Sequence, residues 1–391
     1  MMDLQAIYDA SIILDKIKIP KISEETSFWM IRSKAGYFYT EYIKKEFIAL
    51  GWNYIDSRTS FDGDNIETLK DAIKERYGDK IPMTSINKCK RFIYELKEGD
   101  YVVIPNEGST EIAICIIGEY FEDSELDYLK ELTAIRKIEN GECEINSILC
   151  PYKKRRKIIP LLKVSTQRVG YKLLRTISSY HGLSNMNECA EDILNCVYNC
   201  YEYRGDLIYA INIAKNERIK ARELSTLFYT TTELFCKLID EDLLSVTINV
   251  NSPGKYVVRL EKAYQKLKKG SFPLIMLYLL IFGGSAFGYE FSGALDSIID
   301  AIKEIRMIDI EVETARVELE NKKLENYNKT IELIESVKES EIGYDDLKEK
   351  IETISKLGKT LQFQSNKEFA VVNDRDKKNE GDGKQNNNAE E

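Results

Sequence analysis

The residues of this 391-residue chain whose types and spacing could do chemistry are flat aromatics interleaved with cations. Trp29 and Trp52 are the two tryptophans, and Tyr37, Phe38, Tyr39 and Tyr42 lie between them. Arg32, Lys34 and Arg58 are set among these rings, and a run Lys153, Lys154, Arg155, Arg156, Lys157 follows later, with Arg168 beyond it. Aromatic faces stack on nucleobases, and cations hold phosphates chiefly as point charges. The pattern predicts a nucleic-acid site drawn from Trp29, Arg32, Tyr37, Trp52, Arg58, Lys153, Lys154, Arg155, Arg156, Lys157 and Arg168. Each residue also has a plainer role. Tryptophans on strands of a small domain serve as core, and a KKRRK run serves as a solvated loop.

Charge distribution bears on this choice. With 56 Lys and Arg against 65 Asp and Glu, the net charge of -9 argues against a generic polyanion binder. The charge is uneven, however: from Ile145 to Asn187 there is no Asp or Glu, while Lys163, Lys172 and Arg175 add to the basic run. An acidic chain with one concentrated basic segment is a better nucleic-acid candidate than its total charge suggests.

No catalytic constellation emerges, although an enzyme with an unrecognised site stays open. A metal-dependent nuclease needs an Asp, then Glu-x-Lys on the next strand. Asp100 and Glu111 fall on neighbouring expected strands, but Ile112 and Ala113 follow with no lysine, and Asp100 fits a turn. The single histidine, His181, cannot build a histidine metal site, and YHGL suggests a loop or helix end. There is no P-loop, no GxSxG and no dinucleotide fingerprint; GGSAFG at 283–288 lacks a lysine for a phosphate. None of the eight cysteines forms a CxxC pair. Cys189, Ile193, Cys196, Val197 and Cys200 recur on one apolar helix face, which suits core thiols rather than a metal site. No metal and no cofactor are expected. The N-terminus lacks the basic segment of a signal peptide, so the expected setting is cytoplasmic, with free thiols.

The elements that must position the aromatics and cations are of mixed type, α+β. Residues 1–25 are expected to form an N-terminal helix ended by Pro20. SFWMIRSK (27–34) and FIALGWNYID (47–56) fit strands, with the aromatic helix YFYTEYIKKE between them. Helical spacing returns in 61–79 and after Pro82, and KEGDYVVIPNEGSTEIAICIIGEYFE has the form of a β-hairpin. ELTAIRKIE (131–139) fits a further strand. From 184 to 269 a small α/β unit is expected: a helix NECAEDILNCVYNCYEY, a strand GDLIYAINIAKN, a helix at 221–240, and two strands around NSPG. Residues 270–361 combine an uncharged stretch, 270–289, with long C-terminal helices forming a helical hairpin or coiled coil. Residues 366–391 have the composition of a disordered tail.

Several of these features follow one another in a familiar order: FWMIRSKAG, FIALGW, RFIYELKEGDYVVIP, IAICIIGEYF and IRKI. The stretch 26–180 resembles the N-terminal modules of bacterial modification-dependent restriction and defence proteins, which look like PUA and EVE folds. Trp29, Arg32, Gly36, Gly51, Trp52, Gly99 and Asp100 stand at the matching places, though Ser33, Lys34 and Ala35 lengthen the Trp-to-Gly spacing. The resemblance implies a β-barrel module that reads a modified or unusual base of DNA or RNA. It also implies a sensor or specificity protein of a restriction or antiphage defence system. Self-association or partner docking is expected through 295–361. The alternative is a membrane-acting defence effector, because an uncharged stretch as long as 270–289 can cross a bilayer. Pro273, Gly283, Gly284 and Gly288 favour a buried helix instead.

Overall fold

Two long strands, Glu111–Glu122 and Lys154–Ser165, run antiparallel, and register shifts between Ile114/Cys115 and Ile117/Tyr120 bend the pair. Such bulges increase local twist and curl a sheet. The computed structural model describes residues 19–145, 147–178, 182–236, 244–249, 254–261, 335 and 344–366. These fall into two compact units. One comprises residues 25–197. The other joins the described residues 19–24, which carry strand β1 (Lys21–Ile22), to 198–366.

The 25–197 unit is mixed α+β, with a curled half-barrel sheet. Its strands are β2 (Phe28–Ile31), β3 (Phe47–Leu50), β4 (Tyr101–Pro105), β5 (Glu111–Glu122), β6 (Lys154–Ser165) and β7 (Leu183–Asn185), in the order β3-β6-β5-β4-β2-β7. β2 lies parallel to β4, and all its residues are buried, as for an interior strand. The parallel pairing requires a long crossover. It contains α1 (Tyr39–Lys44), β3, α2 (Gly63–Tyr77) and α3 (Pro82–Lys90), the last running into a π-helical turn, Arg91–Glu95. Further helices are α4 (Tyr128–Glu139), α5 (Tyr171–Ile177) and α6 (Ala190–Val197). The core is formed by Phe38, Tyr42, Ile48, Phe92, Val102, Ile104 and Cys115 with their neighbours.

Four local expectations change. Residues 131–139 form helix α4, not a strand: the Asp127 side chain caps it, accepting the Lys130 N–H at 2.8 Å, and Leu132, Ile135 and Ile138 recur at helical spacing. Lys154 to Lys157 of KKRRK form the start of β6, not a loop, with Lys154 and Arg156 turned inward. Trp52 lies beyond β3, which ends at Leu50. Of the four rings at 37–42, Phe38, Tyr39 and Tyr42 are buried and Tyr37 is half-exposed, as expected for a run that cannot be buried all round. The helix expected over 187–203 stops at Val197. Cys200 then lies on strand β8 (Cys200–Tyr203) and not on the helix.

In the second unit the sheet order is β1-β8-β9-β11-β10, with β9 (Asp206–Ile213), β10 (Leu244–Asn249) and β11 (Gly254–Leu260). A short strand β12 (Phe363–Gln364) pairs with β9. Helix α7 (Ala221–Cys236) packs against α8 (Tyr344–Leu361). The expected strands either side of NSPG pair antiparallel. Of the helix expected over 1–25, Lys21–Ile22 form strand β1 instead, and residues 1–18 lie outside the described residues, as do His181, the stretch 270–289, the long helices before 344 except Glu335, and the tail after 366.

Candidate functional site

The corner after β3 is built around an unusual backbone. Trp52 has φ +60, in the left-handed region that bulky side chains avoid. Two buried charged side chains hold it there. The Glu131 carboxylate, from α4, accepts the backbone N–H of Trp52 and of Asn53, each at 2.6 Å, and the Tyr77 hydroxyl at 2.9 Å. Lys154, from β6, donates from Nζ to the carbonyls of Trp52 and Ile55, each at 2.7 Å. Gly51 makes room for this arrangement, since a Cβ there would lie 2.7 Å from Glu131 Oε1. Asn53 ties the corner to neighbouring loops by donating to the carbonyls of Asp127 and Pro151.

Burial dominates the ionisation of both charged anchors. It pushes the Glu131 carboxyl up, while the donors around it and Lys154 pull it back. It pushes the Lys154 ammonium down, opposed by Cys89, Glu131, Glu122 and Asp56. The anchors are therefore costly to bury, and their hydrogen bonds to the corner's backbone are what offset that cost.

This corner presents the half-buried Trp52 indole to a cleft of about 1030 Å³. Tyr77, Leu132, Ile135 and Tyr152 give it apolar and aromatic walls. Its lining cations are Arg32, Lys34, Arg76, Lys80, Lys88 and Arg136, against the carboxylates of Glu75, Asp79, Glu131 and Glu139. Lys34 pairs with Glu139 at 2.8 Å, and the Arg76 guanidinium lies 4.3 Å from the Tyr54 ring centre. Lys80, Lys88 and Arg136 have no carboxylate partner among the described residues. Lys88 Nζ sits 5.8 Å from the Trp52 ring centre, within reach of a cation–π attraction. A flat wall beneath unpaired cations can take a planar aromatic group that carries negative charge.

The residues singled out in the sequence separate into groups. Trp52 and Arg32 line the cleft. The Arg32 guanidinium donates to Ser109 Oγ at 3.2 Å and to the Ile177 carbonyl. Trp29 is in the core, donating from Nε1 to Asp100 at 3.0 Å. Asp100 also accepts the N–H groups of Ser27 and Lys97, so this carboxylate organises a turn. Tyr37 packs against the core from its half-exposed position. Arg58 is exposed and pairs with Asp56 at 2.9 Å. Gly36 does allow a close approach, but the partner is a loop of the protein itself: a Cβ there would lie 2.6 Å from Glu107 Cα.

The basic run is largely used internally. Arg156 donates to the Phe92 and Ile93 carbonyls, which the π-helical turn leaves available, at 3.0 and 2.8 Å. Lys153 pairs with Asp56 and Glu122, Arg155 with Asp123, and exposed Lys157 with Glu119. Arg168 is half-buried in the 3-10 turn after β6.

Sequence reasoning missed Glu131, Tyr77, Lys88 and Arg136 as cleft residues. For Glu131 and Arg136 the signal was present, in the Asp127 cap and the helical spacing of Leu132, Ile135 and Ile138. For Tyr77 and Lys88 it was not, because a pairing between α2, α3 and a distant corner has no local signature.

Among the described residues, no helix is long and apolar enough to cross a membrane, and no cluster of three His, Cys, Asp or Glu side chains could hold a metal ion. A family model described as "Domain of unknown function (DUF8426)" matches residues 29–139. That span contains all the cleft-lining residues except Tyr152 and Gly182. No curated protein and no solved structure matches the chain.

Proposed function

We propose that the 25–197 unit binds nucleic acid by taking one unstacked base into the cleft against Trp52. The observation that carries this reading is the strained, doubly anchored backbone of that tryptophan. Strain of this kind persists only where the surroundings over-determine it, and it gathers at ligand sites. Here it fixes a stacking face beside unpaired cations, the two elements that binding an extruded or single-stranded base needs. The ordered motifs resembling PUA and EVE modules agree with a base held in a pocket. They extend the proposal to a sensor or specificity component of a bacterial restriction or antiphage defence system.

The test uses the protein's own fluorophores. Of its two tryptophans, Trp29 is core and Trp52 faces the cleft. Titrating the full chain with single-stranded DNA and RNA should quench the emission in a salt-sensitive way. The quench should vanish in Trp52→Phe. Absence of salt-sensitive binding to any strand at low ionic strength would sink the proposal.

A further inference from the structure

The cleft does not end at Lys88. A second hollow of about 370 Å³ adjoins it, lined by Thr84, Asn87, Lys88, Arg91, Ser184 and Asn185 with Leu183. Thr84 and Lys88 belong to both linings, so one ridge of α3 separates the two hollows. The sequence dictates this ridge. Thr84, Asn87, Lys88 and Arg91 recur at helical spacing on one outward face, while Ser85, Ile86, Cys89 and Phe92 are buried on the other.

The two hollows differ in character. The first has aromatic and aliphatic walls. The second offers amide, hydroxyl and guanidinium groups, and Leu183 is its apolar member. Arg91 keeps Nε 3.7 Å from the Glu95 carboxylate, and both side chains are about half exposed. An ion pair so long and so wet contributes little and is easily exchanged. Lys88 stands between the hollows with its ammonium near the Trp52 ring and no carboxylate partner among the described residues.

We propose that the second hollow is a phosphodiester subsite for the nucleotide next to the base stacked on Trp52. The ligand class is then a polynucleotide strand rather than a free nucleotide. An arriving base takes the indole face that Lys88 now approaches, and the displaced ammonium turns to the phosphate on the ridge. Arg91 and Asn87 hold the following phosphate oxygens. DNA and RNA share this chemistry. The inference rests on the base-binding reading of the cleft and sharpens it.

The experiment compares strands of about 12 nucleotides, a length within the range that single-strand sites cover, with the corresponding nucleoside 5′-monophosphates. The full chain, Asn87→Ala/Arg91→Gln and Trp52→Phe are each titrated with homopolymeric DNA and RNA over a range of salt. Both residues of the double variant are exposed or partly so on the helix face, and a matching thermal melt establishes that it folds. In the double variant, the preference for strand over monophosphate should fall about tenfold, as expected when a charge-assisted hydrogen bond is removed. The slope of log affinity against log salt should fall by about 0.7 for each phosphate that the variant no longer neutralises. An unchanged preference and slope in the double variant, with binding still weakened in Trp52→Phe, overturns the subsite and leaves the cleft reading intact. Unchanged binding in Trp52→Phe, or no binding by the unaltered chain, overturns both.

Discussion

The Glu131 carboxylate takes the backbone N–H of Trp52 at 2.6 Å, across 79 residues of sequence. This bond is the centre of the 25–197 unit's distinctive geometry. It fixes the far side of a left-handed corner whose carbonyl is held by Lys154 at 2.7 Å. A buried acid and a buried base, from a helix and a strand, thus act on opposite ends of one residue. The backbone that carries the indole is thereby held on both sides, and on the proposed base-binding reading this reduces the ordering that binding must supply.

Glu131→Ala should be the most destabilising single change in the cleft. It leaves the Trp52 and Asn53 N–H groups and the Tyr77 hydroxyl without their acceptor. A loss of about 3 kcal/mol is expected from groups of this kind. Urea denaturation measures it, and Glu131→Gln, which retains one acceptor oxygen, should fall between the two. A loss below about 1 kcal/mol would show that water replaces the carboxylate without difficulty.

Trp52→Gly separates stability from binding. Glycine adopts positive φ without strain, which returns on the order of 1 kcal/mol and offsets the lost packing of a half-buried ring. Stability should therefore move by less than about 1.5 kcal/mol. Affinity for a single strand should drop by about 1–3 kcal/mol, the usual worth of one base–aromatic stack. Equal affinities for the two proteins would remove Trp52 from the site.

The pattern of the sequence was sufficient for the hairpin of β4 and β5, for α2 and α3, and for the antiparallel pair β10 and β11. These depend on periodicity and turn residues, which are local. It was insufficient for the direction of the cations in KKRRK. A charged run is ordinarily solvated, and only the free carbonyls of the Arg91–Glu95 turn and the Trp52 corner explain why Arg156 and Lys154 point inward. The two tryptophans looked alike in sequence, each on an apparent strand. One sits within β2 and is core; the other stands past a glycine that ends β3, and the chain reverses there. The cleft itself brings together α2, α3, α4 and β3, and no window of sequence contains that meeting.

Gly36→Ala should destabilise the unit by about 2 kcal/mol or more. The residue has φ +96, and an added Cβ would meet the Glu107 backbone at 2.6 Å, where nothing flexible can yield. Thermal melts of Gly36→Ala and of Gly78→Ala make the control, because a Cβ at Gly78 meets nothing within 4 Å although φ is +63. Similar losses at the two positions would mean that φ, and not the close approach of Glu107, sets the cost.

Asp56 predicts an acid-sensitive limb. Burial works to raise its carboxyl, but the bonds from Arg58 and Lys153 outweigh burial and hold it at about 2, below the ordinary 3.8. A carboxyl whose folded value is depressed stabilises the fold above its unfolded value. That contribution is lost as pH falls from about 4 toward 2. After allowance for solvent screening it is on the order of 1 kcal/mol. Asp56→Asn should flatten the loss of stability over that window, and an acid limb of unchanged steepness would assign it to other groups.

The last prediction divides the cations by what they do. Lys154 is fully buried and Arg156 nearly so, each bonded to backbone carbonyls. Replacing either with Met should cost stability, because the carbonyls lose their donors, yet leave the salt dependence of strand binding unchanged. Lys80 and Arg136 are exposed at the cleft, with no carboxylate partner among the described residues. Replacing either with Gln should leave stability within about 0.5 kcal/mol, as for most surface changes. If the residue meets a phosphate of a single strand, the salt slope should fall by about 0.7. Measuring denaturation and salt-dependent binding on all four variants tests the division. If Lys154→Met and Arg156→Met lower the slope while the cleft variants do not, the phosphates lie along β6 and the cleft is not the binding surface.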